Sequence, residues 1–210
     1  MINRFRSALL AATALLAAAS PALAVGPGQT QMSVYPQYNT YQAVITALAP
    51  AASATDFFTI TGSATKQVWV RSIGCTGTTT TVASQQVTLQ LRSTADTGGT
   101  ATNPVAIQTN AGMIGAIGTV PSVAATAVVA AYTANPTVGT AVGPVDGGLL
   151  QTPAPASIGA ANGLFFSYPL TGADAPLVLT GATQQVALNA GGSSLSSGAS
   201  LTCKVVWTEH

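Results

Sequence analysis

Strict two-residue alternation runs through the segments at 84–94 and 200–209. In SQQVTLQLRST, Val87, Leu89 and Leu91 share one face and Thr88, Gln90 and Arg92 the other. Successive side chains of a strand point to opposite faces, so this reads as a strand with one buried and one solvated side. In SLTCKVVWTE, Leu201, Cys203, Val205 and Trp207 face one way and Thr202, Lys204, Val206 and Thr208 the other. Further strand-sized runs lie at 57–63, 66–75, 123–133, 163–170, 175–181 and 184–190, with Gly-, Thr-, Pro- and Asn-rich turns between them. The segment 135–156, thick in Gly and Pro, reads as a connection. Eight to ten strands and no convincing helix exclude parallel α/β folds, whose crossovers need helices. The expected fold is all-β: a single antiparallel β-sandwich, jelly-roll-like, with a small β-barrel as the alternative.

Charge limits the chemistry. Only 5% of the 210 residues are charged, against about 25% in ordinary soluble domains. Ala (39), Thr (30) and Gly (21) fill 90 positions. Such a chain has few general acids, bases or electrostatic clamps. A nucleic-acid partner is not expected, because phosphate neutralisation needs a basic face. The basic residues beyond the first 24 are Lys66, Arg71, Arg92 and Lys204, widely spread. Disorder fits poorly with a mean hydropathy of +0.44 and strand-sized runs of Val, Thr and aromatics.

Residues 1–24 have the three parts of a secretory leader: Arg4 and Arg6, the apolar run SALLAATALLAAA, and Ala22-Leu23-Ala24 as an A-x-A cleavage site. The apolar run of about 13 residues is short of the about 20 that cross a bilayer. No second long apolar run follows, so the product is expected to be exported, periplasmic or extracellular, and not membrane-spanning. Cleavage would leave 186 residues with four basic and five acidic side chains.

Residues 25–55 read as an N-terminal arm rich in Tyr, Gln and Pro, ending in a short strand or turn. Tyr35, Tyr38 and Tyr41 recur every third residue, but Pro36 argues against a regular helix. Such an arm either hangs loose or adds a strand to a neighbour. The sandwich domain is expected at 56–210.

Cys75 and Cys203 are the two cysteines, each in or at the end of an expected strand. An even count in an exported chain makes them a candidate disulfide. Separately buried thiols are the alternative.

A search for reaction chemistry finds little. Asp96-Thr97-Gly98 spells the tripeptide of aspartic proteases, but no second copy exists to share a proton. A tight turn explains it better. Asp56, Asp96, Asp146, Asp174 and Glu209 are each separated by 28 or more residues. His210 is the sole histidine, there is no Gly-x-Ser-x-Gly elbow, and no glycine-rich loop carries the Lys of a phosphate site. No catalytic residue, cofactor or metal ligand is assigned. Glycan binding demands less charge, because aromatic rings stack on sugars. Trp69, Trp207, Tyr132, Tyr168, Phe165 and Phe166 are the candidates, with Trp69 and Phe165 as surface aromatics. Trp69 has the opposite parity to Val68 and Val70 and the same as Arg71 and Ile73, so either face of that strand could be the core. Trp207 shares its parity with core positions.

The segments ITGSATKQVWVRSI, VTLQLRSTADTGGT, AVVAAYTANPTVGTAVG, PLVLTGATQQVALNAGG and LTCKVVWTEH resemble a group of uncharacterised β-sandwich proteins from virion-module regions of tailed phages and prophages. The resemblance covers residues 60–209 and brings no catalytic residues. It implies a structural role in or on a particle. A secretory leader departs from that pattern, since phage particles assemble in the cytoplasm, and points to a host-encoded relative at the envelope or cell surface. The expected function is therefore a non-enzymatic structural or surface-assembly protein that self-associates, virion-like or in the cell envelope. An extracellular glycan- or envelope-binding module is the alternative.

Overall fold

The computed structural model describes residues 38–112, 114–115, 118–119, 121–154, 163–169, 176–193, 195 and 198–210. The expected leader at 1–24, Tyr35 and Asp174 lie outside these. In chain order the strands are β1 (Asn39–Leu48), β2 (Asp56–Thr61), β3 (Val68–Thr78), β4 (Ala83–Arg92), β5 (Thr100–Thr102), β6 (Ile107–Gln108), β7 (Ile114–Gly115), β8 (Gly118–Thr119), β9 (Val128–Ala134), β10 (Ala141–Thr152), β11 (Leu164–Ser167), β12 (Leu177–Leu179), β13 (Gln185–Asn189) and β14 (Ser200–Glu209). One sheet runs β11-β3-β14-β1-β6, with β12 also on β3. The other runs β10-β4-β13-β2-β9-β5, and β7 and β8 form a small hairpin. The pairings between these strands are antiparallel. The fold is an antiparallel β-sandwich and not a closed barrel.

Alternation builds the core. Leu201, Cys203, Val205 and Trp207 of β14 in the first sheet share one buried cluster with Val87, Leu89, Phe58, Ile60, Val186 and Leu188 of the second. Tyr41 stacks on Trp207 with ring centroids 5.6 Å apart. Apolar area removed from water is the main favourable term, at about 25 cal/mol per Å².

The sheets begin earlier than expected. β1 pairs with β14 from Asn39↔Glu209 to Leu48↔Leu201, so this part of the 25–55 segment belongs to the sandwich. Its own alternation explains this: Tyr41 and Ala43 are buried, while Val44 and Thr46 are exposed. The expected connection at 135–156 contains the twelve-residue β10. Glycine and proline are tolerated there because β10 is an edge strand with register shifts at 141–143 and 144–146. The run at 123–133 becomes a strand only from Val128.

A bulge resolves the parity of Trp69. Val206 pairs with Ser72 and Trp207 with Val70, leaving Arg71 as an extra residue on β3. Val68, Val70, Ile73 and Cys75 therefore all point inward, and Trp69 faces outward.

Candidate functional site

The outer face of β3 carries the two aromatics singled out from sequence, at separate positions. Trp69 pairs with Val178 of β12, whereas Phe165 of β11 pairs with Gly74. Five residues at about 3.3 Å each hold these β3 positions some 16 Å apart. Phe165 is 51% exposed. Its ring lies over Gly74, where a Cβ would collide with the Leu164 carbonyl and the Phe165 ring. Trp69 is half-buried and already stacked: the His210 ring lies 3.8 Å from it at 21°, and Tyr38 lies 3.4 Å from His210 on centroids. His210 also contacts the Thr208 hydroxyl through Nε2 at 3.2 Å. Its pKa is lowered by burial and then by Arg71. The other aromatic candidates turn inward: Trp207 is fully buried, and Tyr132 and Phe166 are nearly so, while Tyr168 is partly buried against the core.

Cys75 and Cys203 stand opposite each other in the β3–β14 register, with Cα atoms 4.1 Å apart, and are disulfide-bonded. That spacing suits a non-hydrogen-bonded antiparallel pair, where side chains approach closely.

The residues that sequence reasoning placed apart are the acidic ones, and folding gathers two of them. A register shift after Leu188 leaves Phe57 unpaired and sets Asp56 opposite Asn189. Arg92 was expected on the solvated face of β4. It is instead 4% exposed, because 93–97 folds back against 137–140. The amides of Thr97 and Thr137 exchange hydrogen bonds with each other's carbonyls at 3.0 and 2.8 Å. Beneath that loop pair, Arg92 makes a two-pronged contact with Asp56. Nη2 donates to Oδ1 at 2.7 Å and Nε donates to Oδ2. Arg92 Nη1 donates to the Gly139 carbonyl at 2.9 Å, and Asn189 Nδ2 donates to Asp56 Oδ1. Asp96 lies 3.8 Å from Arg92 Nε and accepts from the Gly139 amide at 2.8 Å. Its own amide donates to Gln185 Oε1 at 3.0 Å. Asp96-Thr97-Gly98 thus lies in the connection from β4 to β5, with Thr97 bridged to Thr137 and the chain bending at Gly98 and Gly99, whose φ of +66° and +74° fall in a region that favours glycine.

These surroundings shift protons. Burial raises the Asp96 pKa to about 6, with Asp56 adding to the rise and the Gly139 amide and Arg92 opposing it. Burial, then the charges of Asp96 and Asp56, raise the pKa of the nearby Tyr132 phenol.

Glu209 forms a second clamp. Its Oε1 accepts from the amides of Thr126 and Ala127 at 2.8 and 3.0 Å and from Trp207 Nε1 at 3.1 Å. Its Oε2 accepts from the Thr126 hydroxyl at 2.8 Å and lies 3.7 Å from Lys66 Nζ. Burial works to raise its pKa, but these donors together hold it below the usual value. The Trp-Thr-Glu ending of the chain thereby fastens the segment before β9 onto β14.

Among the described residues, no three His, Cys, Asp or Glu side chains gather as a metal-ion set. No described helix is long and apolar enough to cross a membrane. Two shallow clefts flank the β5–β6 connection. The larger, about 510 Å³, lies between residues 44–48 of β1, residues 102–105 and Thr133. The smaller, about 280 Å³, lies between residues 103, 104 and 106 on one side and residues 124, 125 and 127–129 on the other.

No protein-family model, curated protein or solved structure matches the chain.

Proposed function

We propose that this chain is a non-enzymatic structural protein that assembles with copies of itself, exported by its leader to the cell envelope or to a virion-like particle. The observation that carries the reading is where the few charges go. Of the eight charged side chains among the described residues, Asp56, Arg92, Asp96 and Glu209 are committed to internal clamps. Lys66, itself in contact with Glu209, and Arg71, Asp146 and Lys204 remain for the exterior. The exposed large apolar side chains include Val105 (80%), Ile107 (64%), Val142 (63%) and Leu149 (54%), all on edge strands or their connections. A neutral, partly apolar periphery packs against its own kind without desolvating unpaired charge, which is costly. The two acidic groups near Arg92 are engaged by the guanidinium, an amide and an asparagine, which supports a structural use for them.

The glycan-binding alternative has its own support in the exposed Phe165 ring. Size-exclusion chromatography with light scattering, followed by passage over immobilised polysaccharide, separates the two. Self-assembly predicts a discrete multimer with no sugar-dependent retention. A strict monomer retained on the polysaccharide and released by free sugar would contradict it.

A further inference from the structure

The sandwich guards its edges unevenly. β10 carries Pro144, Asp146 and two register shifts, all devices that discourage pairing with another strand. β5 and β6 are only three and two residues long. β1 differs. On its β6 side it is paired only at Tyr41 and Gln42, with Thr40 satisfied just before them. There the Thr40 amide donates to Asn110 Oδ1 and the Thr40 carbonyl accepts from the Thr109 amide. Main-chain groups of alternate residues point to the same side of an antiparallel strand. The N–H and C=O of Val44 therefore also point to that side, beyond the end of β6, with no ladder partner among the described residues.

The larger cleft opens at this point. Its lining is uncharged, with Val44, Thr46, Ala47, Pro104 and Val105 among its residues. Ala47 has φ of +55°, a left-handed conformation costly for a residue with a Cβ. It lies within the register irregularity between Ile45 and Leu48. Val44 and Val105 are 39% and 80% exposed. The site is thus an open strand edge beside a neutral trough lined by both apolar and uncharged polar side chains, Thr102, Asn103 and Thr133 among the latter.

We infer that this edge of β1 accepts an extended strand from a second copy of the chain, supplied by residues 29–35 of that copy. This rests on the self-assembly reading and specifies one of its interfaces. The segment 29–35 (QTQMSVY) has no charge, no glycine and no proline, and alternates Thr30, Met32 and Val34 with Gln29, Gln31, Ser33 and Tyr35. It is bounded by Pro27-Gly28 and Pro36, which confine any strand to about seven residues. Geometry favours a second copy over the chain's own segment. Tyr38 and Val44 are six residues apart along β1, about 20 Å, and the edge between them is filled by β6 and Asn110. A return within one chain would use residues 32–37 as the bridge. That would leave only 25–31, interrupted by Gly26, Pro27 and Gly28.

The test compares five proteins expressed from the full-length gene: the parent, a deletion of residues 25–37, Val44→Pro, Thr46→Lys, and the deletion combined with Thr46→Lys. Val44→Pro removes an N–H on the open side and leaves the β14 ladder in place. Thr46→Lys puts a charge at an exposed position of the same edge and keeps the test decisive if the proline variant fails to fold. Sedimentation equilibrium should show each alteration weakening self-association at least tenfold, with Thr46→Lys adding nothing to the deletion. An introduced Ser33→Cys chain mixed with a Thr46→Cys chain should form a cross-linked heterodimer. If the parent associates but the deletion does so equally well, the inference is overturned while self-assembly stands. If the deletion weakens association and neither edge variant does, the segment binds elsewhere and the inference is again overturned. A parent that is monomeric throughout would overturn both.

Discussion

Asp96 and Glu209 are buried carboxylates with opposite consequences for pH. The Asp96 pKa is raised to about 6, above the value of about 3.9 in an unfolded chain. The native state therefore holds this proton more tightly, and the Asp96 contribution to stability declines as pH rises from about 4 to about 6. Glu209 has a lowered pKa, so its contribution is present above the unfolded value of about 4.3 and disappears as pH falls through the folded one. Asp96→Asn should flatten the decline, raising the urea midpoint relative to the parent more at pH 7 than at pH 4. An equal change at both pH values would show that Asp96 is not the titrating group. Arg92→Met strands Asp56 in a buried site and should cost about 3–5 kcal/mol in equilibrium unfolding. A loss under 1 kcal/mol would mean that the clamp contributes little. The Cys75–Cys203 link closes a separation of 128 positions. Replacing both cysteines by Ala should remove about 4–5 kcal/mol on the loop-entropy estimate, measured by unfolding under non-reducing conditions.

At the level of elements, the strands with one wet face were legible and the edges were not. β14 shows its alternation openly because Leu201, Cys203, Val205 and Trp207 all reach the core. The place of Cys75 and Cys203 in strands left a disulfide and two separately buried thiols both open, and the β3–β14 register decides for the disulfide. β10 hid behind Pro144 and three glycines, residues that speak against a central strand but not an edge. β1 hid behind the three-residue spacing of Tyr35, Tyr38 and Tyr41, although Tyr41 stacks in the core. Arg92 fits the alternation of β4 by parity, yet is buried. Parity tells which way a side chain points, but not whether a distant loop will cover it, and 137–140 lies more than forty residues away. The same blindness concealed the gathering of Asp56 with Asp96 and the stacking of His210 on Trp69. β11 offers a test at this scale. Gly74→Val places methyl groups where Leu164 and Phe165 cross β3. It should destabilise the fold by about 1–3 kcal/mol, with faster hydrogen exchange confined to β11 and its neighbour on β3. Unchanged protection of β11 would show that it does not rest on Gly74.

For the molecule as a whole, scarcity of charge and its placement form one design. Two clamps take up half of the described charged side chains and hold loops onto the sandwich. The periphery left behind is neutral, apolar at several edges, and open along part of β1. Contacts between such surfaces depend little on salt, since screening acts on exposed charges and not on apolar burial. Sedimentation equilibrium of the protein from 20 mM to 1 M sodium chloride tests this most directly. The account predicts a multimer whose dissociation constant changes less than about threefold across that range. A monomer at every salt concentration, or a multimer that dissociates steeply as salt rises, would contradict it.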